Sequence, residues 1–133
     1  MAFNFACMKD YKKYYIIPAE PEEVYSALTN PHELAVWTGD PAEMSTEPGS
    51  EFSLWDGSIA GKNLEFEAGR KIVQEWYFGE QEEPSIVTIK LHDHKYGTSA
   101  ELRHTNIPDE AFQDISEGWD EAYFGALIGF FEG

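Results

Sequence analysis

Apolar positions recur along this 133-residue chain with two different periods, and the change of period divides it into regions. The segment YKKYYIIPA, Tyr11 to Ala19, is rich in aromatic and β-branched residues and is stopped by Pro18, which predicts a strand. In AEPEEVYSALTNP, Pro21 suits a first helical position and Glu22 and Glu23 favour the positive end of a helix, while Val24, Tyr25 and Leu28 share one face. A short helix is expected there, ending before Pro31. A second occupies PHELAVWTG, opened by Pro31, with Leu34 and Trp37 at the inward spacing and Gly39 closing it.

From about Glu43 to Ile107 the period is two, interrupted by turn signals at near-even intervals, which is the signature of an antiparallel meander. Phe52 and Leu54 share a face ahead of Asp56-Gly57, and Leu64 and Phe66 share one ahead of Ala68-Gly69. KIVQEWYFG carries large residues on both faces and is placed centrally in the sheet. Val87, Ile89 and Leu91 form one face, and beyond a turn at Tyr96-Gly97 so do Ala100, Leu102 and His104. Pro108, Asp109 and Glu110 then announce a terminal helix running to Glu132. At about 1.5 Å per residue it is long enough to cross most of a domain. The order predicts one α+β domain over residues 1–133. A curved antiparallel sheet of about six strands wraps a long C-terminal helix, with two short helices after the first strand.

The terminal helix is a costly one. ISEGWDEAYFGALIGFF contains Gly118, Gly125 and Gly129, each about 1 kcal/mol less favourable than Ala in a helix interior. On a helical wheel Trp119, Tyr123, Leu127 and Phe130 cluster on one side, with Gly118, Ala122, Gly125, Ala126 and Gly129 as a stripe of small residues beside them. Such a stripe marks close approach of the sheet or the roof of a cavity. We expect close packing at Gly118 and Gly129 and a cavity border at Gly125. Phe124 and Ile128 fall toward the polar side, which suggests a partner surface or contact with the short helices.

Composition narrows the partners. With 9 Lys and Arg against 25 Asp and Glu the formal charge is −16, a field that repels phosphate backbones and anionic lipid heads. Neither nucleic acid nor a membrane surface is expected as a partner. Cys7 is the one cysteine, so no disulfide framework and no cysteine zinc site is available. With no signal-like start and no 18-residue apolar run, the reading is cytoplasmic. The runs around Glu20 to Glu23 and in GEQEEP read as solvated acidic surface.

Candidate chemistry is sparse. His92 and His94 point the same way in a strand, and His104 on the next one could complete a three-imidazole set. His94 lies close to the expected turn, however, and no complete metal-ligand set is visible, so neither metal nor cofactor is expected. His104 alone, on the presumed inner face, could act as acid or base if paired with a carboxylate. No serine sits in a nucleophile elbow, and no glycine-rich phosphate loop joins a strand to a helix.

Four stretches together, in order and spacing, carry a resemblance: IPAEPEEVYSALTNPHELAVW, AGRKIVQEWYFG, YGTSAELRHTNIP and EGWDEAYFGALIGFF. In them the chain resembles the activator of heat-shock-protein-90 ATPase family, within the helix-grip superfamily that includes START-like and birch-pollen-allergen-like domains. The resemblance implies a sheet gripping the terminal helix with a cavity between them. It also implies a small hydrophobic ligand, or a chaperone or client protein, as partner. In that fold Trp37, Trp76 and Trp119 could converge near a cavity mouth, and Trp and Tyr suit amphipathic ligands. The candidate lining is Trp37, Phe52, Phe66, Trp76, Leu102, His104, Trp119, Tyr123 and Gly125. A non-catalytic binding role is the expectation, with a protein-interaction module, or a cyclase- or hydrolase-like enzyme using His104, as alternatives.

Overall fold

The computed structural model describes residues 8–78 and 83–133. Cys7 and residues 79–82 of the acidic run lie outside them. Strand β1 (Met8–Ile17) is followed by helices α1 (Pro21–Thr29) and α2 (Pro31–Thr38), then by β2 (Glu51–Leu54), β3 (Ile59–Glu67), β4 (Lys71–Trp76), β5 (Ser85–His94) and β6 (Gly97–Pro108). All neighbours pair antiparallel in the order β1-β6-β5-β4-β3-β2. The meander thus runs in sequence order from β2 to β6, and β1 returns to the far edge beside β6. This is the α+β helix-grip arrangement that the periodicity predicts.

The helix signals act as their chemistry requires. Pro21 opens α1, and Glu23 reaches back to the Glu20 amide at 3.0 Å in a capping box. Asn30 ends α1 and caps α2, its side chain accepting from the amides of His32 and Glu33. Gly39 closes α2 in the left-handed conformation, φ 85°.

Period two fixes the faces. Val87, Ile89 and Leu91 on β5 and Ala100, Leu102 and His104 on β6 are all buried, as their spacing predicts. On β3 the expectation fails. A register shift between Asn63 and Glu65 inserts a bulge, so Asn63 turns inward and is fully buried while Leu64 is exposed and Phe66 sits half-buried at the margin of the core. The inward Asn63 is satisfied by Gln74 Nε2 at 3.0 Å and by donating to Ser45 O and Ser50 Oγ, each at 3.1 Å.

The terminal helix is continuous over residues 109–132 but not uniform. A 3-10 turn (Asp109–Ala111) leads into α3 (Phe112–Gly118), a π-helical turn (Trp119–Tyr123) and α4 (Phe124–Glu132). The π turn adds one residue to the helical count and rotates α4 by about 100° relative to an ideal wheel. That rotation corrects the expectation for Phe124. The side chain swings into the core, is fully buried, and stacks on Tyr15 with ring centroids 4.2 Å apart and planes 12° apart. Ile128 is half-buried against the same core. Asp120 in the π turn ties the helix to β1. Its Oδ1 accepts from Lys13 Nζ and Tyr15 Oη at 2.7 Å each and from Tyr11 Oη at 3.3 Å. These bonds, the Lys13 ammonium first, hold the Asp120 carboxyl below the usual carboxylate range.

Candidate functional site: a tryptophan-lined cavity

The gap between the sheet and the terminal helix is a cavity of about 400 Å³, partly open to solvent. Trp76 at the end of β4 and Trp119 and Tyr123 from the π turn form its inner wall. Trp76 and Trp119 stack with centroids 4.8 Å apart, and Trp119 and Tyr123 lie 4.5 Å apart. Trp55 and Ile59 close one side, Ile115 and Gly118 of α3 the other, and Asp40, Ser58, Asp114 and Ala122 stand at the exposed mouth.

The indole N–H groups of the inner wall are used inside the protein, so the two tryptophans offer a ligand apolar ring surface rather than a donor. Trp76 Nε1 donates to Gln74 Oε1 at 3.1 Å, continuing the buried chain to Asn63. Trp119 Nε1 donates to His104 Nδ1 at 3.0 Å. Because an indole can only donate, Nδ1 must accept, which leaves the proton on Nε2. Nε2 in turn lies 2.8 Å from Ser85 Oγ, and that hydroxyl donates to the Thr105 carbonyl at 3.1 Å. His104 is fully buried, and burial pushes its imidazole down to about 3. It is a neutral strut between the helix and two strands. Both ring nitrogens are taken, by Trp119 and Ser85, and neither is hydrogen-bonded to a carboxylate, the pairing that an acid–base role would need.

Of the candidate lining residues, Trp76, Trp119 and Tyr123 reach the cavity wall. Trp37 packs one layer behind, with its ring centroid 5.1 Å from Tyr123 and 6.2 Å from Trp55, and with Nε1 donating to the Ala27 carbonyl at 2.9 Å. Phe52 is buried against Trp76, while Leu102 and His104 lie in the packed core beneath the aromatic layer. Phe66 stays at the core margin.

Gly125 requires a correction. It is exposed and does not line this cavity; a Cβ there would sit 2.6 Å from the Asp120 carbonyl oxygen, which the π turn brings against the helix backbone. Gly118 is the glycine that lines the cavity, and a Cβ at Gly118 or Gly129 would meet nothing within 4 Å. Gly118, expected to pack closely, lines the cavity, while Gly129 is exposed with open space beside it.

Spacing does not single out Trp55, which belongs to the β2–β3 turn rather than to a periodic face. Its signal is the tryptophan itself, placed before Asp56-Gly57. The three histidines do not meet: His92 pairs with Glu101 on the outer face at 3.0 Å and His94 accepts from the Tyr96 amide, while His104 points inward. Among the described residues no group of three or more His, Cys, Asp or Glu side chains could hold a metal ion, and no helix is long and apolar enough to cross a membrane.

A family model described as "Activator of Hsp90 ATPase homolog 1-like protein" matches residues 18–132. The chain belongs to that family. It is 35% identical over 102 residues to an activator of 90 kDa heat shock protein ATPase homolog of Dictyostelium discoideum, an alignment covering 74% of this chain and 27% of that protein. It is 25% identical over 113 residues to the mouse activator homolog 2, covering 84% of this chain and 34% of that one. The chain therefore spans about a third or less of these relatives. In fold it is similar to an HSP90 activator from Plasmodium falciparum, with TM-score 0.80, 24% identity, and 95% of this chain and 96% of that one covered. The Aha1 dimer of Colwellia psychrerythraea superposes with TM-score 0.80 at 18% identity, covering 94% and 97%.

Proposed function

We propose that this member of the family binds a small, largely apolar molecule, without chemical conversion, in the cavity between sheet and terminal helix. The observation that carries the reading is the cavity itself. Its volume of about 400 Å³ falls in the range of small-molecule sites, and its walls are tryptophan and tyrosine rings backed by satisfied indole N–H groups. The non-catalytic part rests on His104, which is held neutral within the core and out of reach of a ligand. The test uses the neutral fluorophore N-phenyl-1-naphthylamine. Wild type should enhance its emission saturably. Gly118→Leu, whose side chain has open space to enter, should abolish the enhancement without lowering the melting temperature. No saturable binding to wild type, or equal binding to the variant, would remove the cavity as a ligand site.

A second reading draws on the 35% identity to a protein named as an activator of 90 kDa heat shock protein ATPase. In that reading the chain docks on such a chaperone and raises its ATP turnover. A steady-state ATPase assay with and without this chain tests it, and an unchanged rate at saturating concentration would discard it.

A further inference from the structure

The walls and the mouth of the cavity have different chemistry, and together they select charge. The walls are formed by the aromatic rings of Trp76, Trp119, Tyr123 and Trp55. Each aromatic face carries the negative lobe of its quadrupole. The mouth carries the carboxylates of Asp40 and Asp114, and among the described residues no lysine, arginine or histidine joins the lining.

One further observation points to a ligand rather than to packing. Tyr123 is 5% exposed and lines the cavity, and its hydroxyl has no hydrogen-bond partner among the described residues. No fully enclosed polar side-chain atom among those residues lacks a partner, so the Tyr123 hydroxyl keeps some exposure. A hydroxyl so nearly buried costs free energy unless a guest or water completes it. Trp55 is held at φ 51°, with Asp56 at 55° and Gly57 at 94° behind it. Trp55 and Asp56 are the central pair of the tight β2–β3 hairpin turn, closed by the Gly57 amide donating to the Leu54 carbonyl at 3.2 Å, and such turns take left-handed residues. Here the turn places the Trp55 ring at the cavity edge, 6.2 Å from Tyr123.

An anionic guest would meet aromatic faces, two carboxylates and the field of a chain with net charge −16, all repulsive. A neutral guest gains apolar area alone. A cation gains the area, the faces and the carboxylates together. Resting on the cavity reading above, we propose that the ligand is a compact organic cation, a protonated amine or quaternary ammonium on an apolar body. Its charged group lies between the aromatic faces and Asp40 and Asp114.

The experiment is a displacement titration of the bound N-phenyl-1-naphthylamine from the full chain at physiological ionic strength. It uses benzyltrimethylammonium, its uncharged carbon isostere neopentylbenzene, and the anion phenylacetate. The cation should displace the probe at least about tenfold more tightly than the isostere, which corresponds to about 1.4 kcal/mol, and the anion should not compete. Asp40→Asn with Asp114→Asn should weaken the cation several-fold and leave the isostere unchanged. The control pair Glu22→Gln with Asp93→Asn, which removes the same charge away from the cavity lining, should leave both unchanged. Equal competition by cation and isostere, or equal losses in the two double variants, would overturn the cationic ligand while leaving the cavity reading standing. Failure of the probe to bind wild type would overturn both.

Discussion

Gly118 and Gly125 stand on the same terminal helix and lack a side chain for opposite reasons. At Gly118 the space a side chain would fill is the cavity, so an added Cβ meets no atom within 4 Å. At Gly125 the residue is exposed, and a surface position would ordinarily favour Ala over Gly by about 1 kcal/mol. The Asp120 carbonyl oxygen reverses that preference: a Cβ 2.6 Å from a backbone oxygen forces the helix to shift, and the oxygen cannot rotate away as a side chain could. Gly118→Ala and Gly129→Ala should therefore stabilise the protein by up to about 1 kcal/mol. Gly125→Ala should destabilise it by about 1 to 2 kcal/mol, as overpacking does. Urea unfolding of the three variants checks this. Stabilisation of all three in parallel would mean that the Asp120 carbonyl yields easily and that the π turn does not require glycine.

At the scale of elements, legibility in the sequence depends on how local each signal is. Pro21, Pro31, Asn30 and Gly39 act on the residues next to them, and α1 and α2 begin and end where those residues stand. The inward faces of β5 and β6 are equally legible, because period two survives wherever a strand is regular. Two insertions hide the rest. The β3 bulge exchanges Leu64 for Asn63 on the inner face, and no turn residue or proline announces it. The π turn does the same to the helix: it buries Phe124, exposes Gly125 and aims Trp119 and Tyr123 at the cavity while Asp120 reaches Tyr11, Lys13 and Tyr15 on β1. An ideal wheel cannot contain that extra residue. It places the aromatic side of the helix correctly and puts Gly118 and Ala122 in a stripe that does border the cavity, but it misplaces Gly125. The cavity is visible in outline for the same reason. Trp76, Trp119 and Tyr123 lie on regular or nearly regular faces, whereas Trp55 arrives from a left-handed turn that periodicity does not describe.

Across the whole molecule, charge and burial set opposing responses to acid. The excess of acidic side chains repels itself at neutral pH, and protonating carboxylates toward about pH 4 relieves that repulsion. His104 works the other way. Its imidazole is buried neutral and pushed down to about 3, whereas in the unfolded chain it returns to about 6.5. Between those values the unfolded chain binds the proton and the folded one does not, so stability rises with pH through this window and is lost as pH falls. The contribution is complete above about pH 6.5 and erodes below it, approaching about 1.4 kcal/mol per pH unit. Most carboxylates titrate below about pH 5, so the interval from about pH 6.5 to 5 separates the two effects. Urea unfolding across that interval should show wild type losing stability with a slope that His104→Gln lacks. Glutamine has an amide oxygen to accept from Trp119 and an amide nitrogen to donate to Ser85, but nothing to titrate. The stability of wild type relative to the variant should therefore fall as the solution is acidified below about pH 6.5. Parallel slopes in the two proteins would mean that His104 takes up a proton within the fold, and the neutral strut linking Trp119 to Ser85 would have to be abandoned.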